Sequence, residues 1–371
     1  MNKNNKILLG TDTVSGIHPK ILSAIALASK EKTLPYGNDI FTIECKKNIS
    51  KIFEKEDIEI LPMMSGTASN SLALSSFLRS YGSVLCHIES HINKDEGGAP
   101  EFFSCGGKLL TISNSSGRIK PEDLNKKIQE VNFKGKQYSQ ISGISITQLA
   151  ENGTVYSQKE IKEISNICKK NNLYLHMDGA RFSNALVCQS PLSPAQMTWK
   201  VGVDCLSLGA TKNGAMAAEV IIFFNKDLAI EAKKLVKQTG HVIAKTRFIS
   251  SQLNAWFQDG LWLILAEKAN NTAKYLSDRL SQFKEFKLVY PTQANEVFFK
   301  ISKKTYEDMI KLNIISNLWG MENENKLIVR FVTSFETEIS EIDELIKELR
   351  VFVLKTKYRN LDKELNSKIF H

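Results

Sequence analysis

The sequence predicts an α/β protein: a large, doubly wound, mostly parallel mixed sheet, followed by a smaller α+β domain. Three features carry that expectation. Strand-like and helical stretches alternate from about residue 58 to residue 225, the pattern of successive βαβ crossovers. Residues 141–147 form an apolar, β-branched run of the kind found in a strand covered on both faces. After Ala229 the pattern turns mostly helical, and short strand-like runs return at 286–290, 297–301 and 326–333. The expected division is an N-terminal segment, 1–35, that packs with the small domain, a large ligand-binding domain, 36–258, and a small domain, 259–371.

In chain order, residues 7–10 are a short extended entry and Thr11-Asp12-Thr13-Val14-Ser15-Gly16 is a polar turn. His18-Pro19 opens a helix to about Lys30, with proline in the first turn, where a missing N–H is harmless. A turn-rich loop at 34–39 precedes a helical pattern over 41–53. Residues 58–63 are a strand ended by Pro62. Ser65-Gly66-Thr67-Ala68-Ser69-Asn70 and a helical run over 71–78 follow. A strand, a small-residue turn and a helix start offer free N–H groups to an anion such as phosphate, although plain strand-to-helix turns share this pattern.

Residues 83–86 form another strand, which leads to His87 and His91. Two imidazoles with acids nearby could hold zinc, but no clear helix places both on one face. A histidine stacked on a cofactor ring is the sharper alternative. A helix is expected near 95–103, a strand at 108–112 and a helix from Lys120-Pro121. Ser157 and Glu160 make a capping box for a helix to Lys170. Residues 219–224 suggest a tight antiparallel return. Helices are expected at 262–283, 305–313 and 338–354, and a charged surface or frayed segment at 355–371.

The chemistry concentrates in residues 173–212. The run 173–177 ends in Asp178-Gly179-Ala180-Arg181, and 205–210 ends in Thr211-Lys212-Asn213-Gly214. Both fall where α/β sheets place ligand-binding groups, at carboxyl ends of strands. A lysine there can condense with a carbonyl compound, and an aspartate can keep the ring nitrogen of pyridoxal phosphate protonated. A surface lysine and a helix-capping aspartate are the plain alternative.

Composition narrows the classes. Of 371 residues, 42% are hydrophobic and 24% charged, ordinary for a globular chain. No apolar run approaches the roughly 20 residues of a membrane span, and the N-terminus lacks a signal-peptide core. Six cysteines lack metal or redox spacing, so reduced thiols and a cytoplasmic location are expected. The net charge of +9 is spread among glutamates, without an aromatic-interleaved basic stretch. It favours small anionic ligands over nucleic acid.

The Thr11–Gly16 turn, Ser65 to Asn70, His91, His176-Met177-Asp178-Gly179-Ala180-Arg181, Thr211 to Gly214 and Arg330-Phe331-Val332-Thr333-Ser334 stand in the order found in low-specificity L-threonine aldolases. The chain resembles that family from about residue 8 to residue 350. The resemblance implies the aminotransferase-like fold (fold type I) and pyridoxal 5'-phosphate. It also implies cleavage of β-hydroxy-α-amino acids, such as L-threonine and L-allo-threonine, to glycine and an aldehyde.

By the same resemblance, Lys212 would carry the cofactor, Asp178 would pair with its ring nitrogen and His91 would stack on the ring. Ser65, Gly66 and Thr67 would hold its phosphate. Arg181 and Arg330 would grip the substrate carboxylate with Thr11 adding a hydroxyl, since a guanidinium fork matches two oxygens. His87, His91, Glu96, Glu151 or a water could take the β-hydroxyl proton. Glu151 stands where other members carry a histidine. No metal is implied. A homodimer or homotetramer with sites at the interface is expected, with Lys237, His241, Lys245 or Arg247 reaching a neighbour's cofactor phosphate. The alternatives are another lyase on the same fold, such as a phenylserine-type aldolase or a β-eliminating lyase, and a non-catalytic binding protein.

Overall fold

The computed structural model describes residues 6–30 and 32–351; the charged segment expected at 355–371 lies outside them. The chain forms two compact units. The larger is Ser15–Lys268, and the smaller joins the residues up to Val14 with those from Ala269 onward.

The first strand, β1 (Ile7–Leu8), belongs to the smaller unit. The larger unit holds β2 (Glu59–Met63), β3 (Gly82–His87), β4 (Lys108–Ile112), β5 (Gln140–Thr147), β6 (Tyr174–Gly179), β7 (Cys205–Gly209) and β8 (Glu219–Phe223). They make one sheet in the order β2-β8-β7-β6-β5-β3-β4. Strands β3 to β7 run parallel, and β8 runs antiparallel to both β7 and β2. The tight return expected after the lysine turn is therefore present. Pro62 lies inside β2 and does not end it; β2 is an edge strand, where a missing N–H is tolerated.

Burial explains the apolar runs. In β5, Ile144 and Ile146 are fully buried, because β5 has parallel neighbours on both sides and helices cover such sheets. Gly143 permits this packing: a Cβ there would sit 2.6 Å from the Phe77 ring and 2.7 Å from the Tyr174 carbonyl oxygen. The helix Gln158–Lys170 has the expected capping box and turns Ile161, Ile164 and Cys168 inward, the spacing of an amphipathic face.

The compact units divide elsewhere than at the expected boundaries after residues 35 and 258. The helix Pro19–Ala28, with proline at its first position and the His18 ring as its cap, packs against the helix Arg247–Phe257 of the larger unit. A kink at Asp259 (φ 54) does interrupt the chain near 258. The following helix, Leu261–Leu280, nonetheless starts in the larger unit. There the Trp262 ring lies parallel to that of Phe182, at 6.5 Å.

In the smaller unit, β9 (Lys287–Leu288), β10 (Glu296–Ser302), β11 (Ile314–Ile315), β12 (Asn317–Asn323) and β13 (Lys326–Val332) follow. Four of them form an antiparallel sheet, β12-β13-β10-β9, and β1 pairs in parallel with β11. Phe299, Phe331, Val329, Leu276, Ile342 and Leu345 are its buried core, and each phenylalanine contributes roughly 2–3 kcal/mol. Among the described residues no helix is long and apolar enough to cross a membrane.

Candidate active site

The carboxyl ends of four parallel strands carry the candidate groups. His91 follows β3 by a few residues, Glu151 follows β5, Asp178 lies at the end of β6 and Lys212 just beyond β7. Strand pairing sets Asp178 opposite Ser207 on β7.

A run of largely buried hydrogen bonds links two of these strand ends, after β3 and at β6, through a helix. His91 Nδ1 lies 2.9 Å from Glu96 Oε1. The Asn70 side-chain amide donates to that same oxygen at 2.8 Å and to Asp178 Oδ2 at 2.9 Å. The Ala180 backbone N–H donates to the other Asp178 oxygen at 3.0 Å. Glu96, Asn70 and Asp178 are almost fully buried. Hydrogen bonding to Glu96 raises the His91 proton affinity, with Asp178 and Glu151 adding to it and burial and Lys212 opposing it. Burial raises that of Glu96, while the His91 and Asn70 hydrogen bonds pull it down.

The helix that carries Asn70 begins five residues earlier than the sequence pattern implied: it spans Gly66–Ser75, not 71–78. The cause is the cap, since Ser65 Oγ accepts from the Ala68 N–H at 3.2 Å. Gly66 and Thr67 supply N–H groups with no partner inside the helix, and a Cβ on Gly66 would meet nothing within 4 Å.

Lys212 sits in a tight turn, Thr211–Asn213. The turn is pinned through Asn213, whose amide donates to the Trp262 carbonyl at 2.8 Å and to Ser183 Oγ at 3.1 Å. The Trp256 indole N–H donates to the Asn213 carbonyl at 2.9 Å. Glu219, buried across the hairpin from Gly209, has its carboxyl pushed up to about 7 by burial, against the pull of Thr211 and Lys212. Beneath Asp178, His176 lies between two hydroxyls: Ser145 Oγ at 2.9 Å from Nδ1 and Ser207 Oγ at 3.0 Å from Nε2. Burial lowers it to about 4, so the ring is neutral.

The other candidates stand outside this hydrogen-bonded run. His87 and Glu151 face one small cavity of about 10 Å³, shared with Ser145, Thr147 and Tyr156, room for about one water. Arg181 is buried at the start of the helix Phe182–Cys188. Thr11 and Arg330 belong to the smaller unit. There Arg330 pairs with buried Glu296 at 3.2 Å and lies over the Trp319 ring at 4.7 Å. Arg247 donates to the Ala28 carbonyl at 3.1 Å, and His241 meets the Phe103 ring edge-on. A cleft of about 1040 Å³ runs past Tyr36, Lys46, Glu59 and His241, and includes neither Lys212 nor Asp178. Among the described residues no three His, Cys, Asp or Glu side chains are grouped to hold a metal ion.

The donor set of the larger unit fits pyridoxal phosphate. It offers an amine for the aldehyde, a carboxylate for the ring nitrogen, an imidazole and an open helix N-terminus for the phosphate. Sequence reasoning passed over Asn70, Glu219 and the serines beside His176. Only the i, i+2 spacing of His176 and Asp178, which puts both on one strand face, could have flagged the last group.

The beta-eliminating lyase family profile matches residues 9–304. A low-specificity L-threonine aldolase of Pseudomonas aeruginosa is 37% identical over 92% of the chain and 96% of that relative. One from a Pseudomonas species is 39% identical over the same shares. The solved Leishmania major threonine aldolase superposes with a TM-score of 0.87 at 27% identity, covering 94% of this chain and 99% of that one. An aspartate aminotransferase of Thermotoga maritima, at 14% identity and a TM-score of 0.66, shares the fold.

Proposed function

The chain belongs to the beta-eliminating lyase family, and on that premise we propose that it cleaves L-threonine and L-allo-threonine to glycine and acetaldehyde. The observation that supports this reading is the hydrogen-bonded run His91–Glu96–Asn70–Asp178, at the carboxyl edge of the sheet that also carries Lys212. Pyridoxal phosphate, the cofactor of the family, supplies an electron sink when bound. In this reading Lys212 anchors it, Asp178 holds a proton at its ring nitrogen, and the Gly66 and Thr67 N–H groups take its phosphate.

The protein's own groups then orient the substrate and move its protons. Arg181 binds the substrate carboxylate, and the family's residue order suggests the same role for Arg330 and Thr11. Fixing that group aligns the Cα–Cβ bond for cleavage. Glu96 keeps a proton on His91 Nδ1, which leaves Nε2 as the basic nitrogen. The His91–Glu96 pair takes the β-hydroxyl proton as the Cα–Cβ bond breaks and the carbonyl of the aldehyde forms. Cα gains a proton to give glycine. His87 and Glu151, turned to a cavity the size of one water, suit this task less. A cytoplasmic homodimer or homotetramer is part of the proposal.

The test is product analysis with added pyridoxal phosphate and L-threonine, L-allo-threonine, serine or phenylserine. Glycine with acetaldehyde is expected from both threonines, and none from Lys212→Ala. Pyruvate from serine without glycine, or glycine at the parental rate from Lys212→Ala, would overturn the reading.

A further inference from the structure

We propose that Asn70 is a positioning residue that ties the His91–Glu96 pair to Asp178, so that two neighbouring acids keep separate tasks. The inference rests on the reading of Lys212 and Asp178 as the cofactor site. Its physical basis is the count of donors and acceptors. A carboxamide nitrogen has two N–H groups, and Asn70 gives one to Glu96 Oε1 and the other to Asp178 Oδ2. Glu96 Oε1 also meets His91 Nδ1. An oxygen that accepts from the amide and from the ring requires the ring proton on Nδ1.

The amide cannot turn over in this setting. Its oxygen would then face two carboxylates, with buried surroundings to magnify the repulsion. That oxygen, Asn70 Oδ1, is itself buried without a hydrogen-bond partner, and so is Glu96 Oε2. Buried polar atoms left unpaired are unfavourable, so the arrangement persists because the two donated bonds outweigh them. Asn70 also lies four residues after Gly66, on the same helix face. The helix proposed to receive the phosphate thus also holds the acid proposed for the other end of the ring.

The environments of the two acids differ in a way that suits separate work. Asp178 has donors on both oxygens, Asn70 on one and Ala180 N–H on the other. Glu96 has both of its donors on one oxygen and none on the other, and burial favours its protonated form. Asp178 thus accepts a hydrogen bond at each oxygen, and Glu96 is left to work with His91 as a proton holder. Asn70 is the only one of these groups that touches both.

The experiment compares the full-length parent with Asn70→Asp and Asn70→Ala. It reads three quantities: kcat and KM on L-threonine, the dissociation constant of added pyridoxal phosphate, and the His91 imidazole titration by NMR, assigned by the signal lost in His91→Asn. The groups acting on His91 are Glu96, Asp178, Glu151 and Lys212. Asn70→Asp adds a further acid in their midst, so the His91 midpoint should rise by about half a pH unit or more. Asn70→Ala should lower kcat about 10-fold with KM nearly unchanged, and weaken cofactor binding about 10-fold, as expected for a lost hydrogen bond to a charged group. A His91 midpoint within about 0.2 of the parent in Asn70→Asp, or kcat and cofactor affinity within about twofold of the parent in Asn70→Ala, would overturn the proposal. The titration needs no turnover. A chain that releases no glycine but shows the shift would lose the aldolase reading and keep this one.

Discussion

The ring of His176 makes a stability prediction whose size follows from the structure. It is fully buried and wedged between the Ser145 and Ser207 hydroxyls, with Asp178 the charged group acting on it. Burial depresses its proton affinity from an ordinary 6.5 to about 4. Between those values the unfolded chain binds a proton that the folded chain refuses. The contribution is therefore complete above about pH 6.5 and is lost progressively as pH falls toward 4. At about 1.36 kcal/mol per pH unit, the whole loss is roughly 3 kcal/mol. Other groups titrate in the same window, so the parent alone cannot isolate it. His176→Gln keeps a neutral donor and acceptor between the two hydroxyls and removes the titration. Urea unfolding of both proteins at several pH values from 7 to 4 should show the parent losing stability relative to the variant, by up to roughly 3 kcal/mol. A parent-minus-variant difference that stays flat across the range would refute the assignment of a neutral, unprotonatable ring.

Two further outcomes follow from the site. Asp178→Asn should retain cofactor, seen by its visible absorbance, while glycine release falls roughly 100-fold or more, since an amide cannot balance a ring proton; an unchanged rate would remove Asp178 from the chemistry. Gly214 closes the lysine turn at φ +99, and a Cβ there would lie 2.9 Å from Leu265 Cδ1 and 3.3 Å from His18 Cβ. Gly214→Ala should destabilise the chain by about 1–3 kcal/mol in urea titration, and a midpoint equal to the parent's would contradict the strain.

Much of the larger unit was legible because its strands bury both faces. The runs ending at Asp178 and before Lys212 are apolar for that reason, and their ends coincide with β6 and β7. The smaller sheet was harder. β12 (Asn317–Asn323) is mostly exposed and mixes apolar with polar residues, with register shifts against β13, so no alternation marks it. The two-residue strands β1 and β11 have no pattern to display. At the site, residue identities were readable but partnerships were not. Asn70 looked like one more small polar residue in a turn. Its meaning depends on Asp178, 108 residues further on, and on a helix that begins earlier than the apolar pattern does. Ser145 and Ser207 acquire a role only when three strands place them around one imidazole.

The turn that bears Lys212 takes its shape from the residue next door. Asn213, Trp256, Trp262 and Ser183 hold the turn, and none of those hydrogen bonds involves the lysine side chain. On the role proposed for Lys212, replacing it should subtract reactivity and leave the frame standing. Such an inert copy should crystallise like the parent and retain an uncleaved amino acid long enough to be photographed in place.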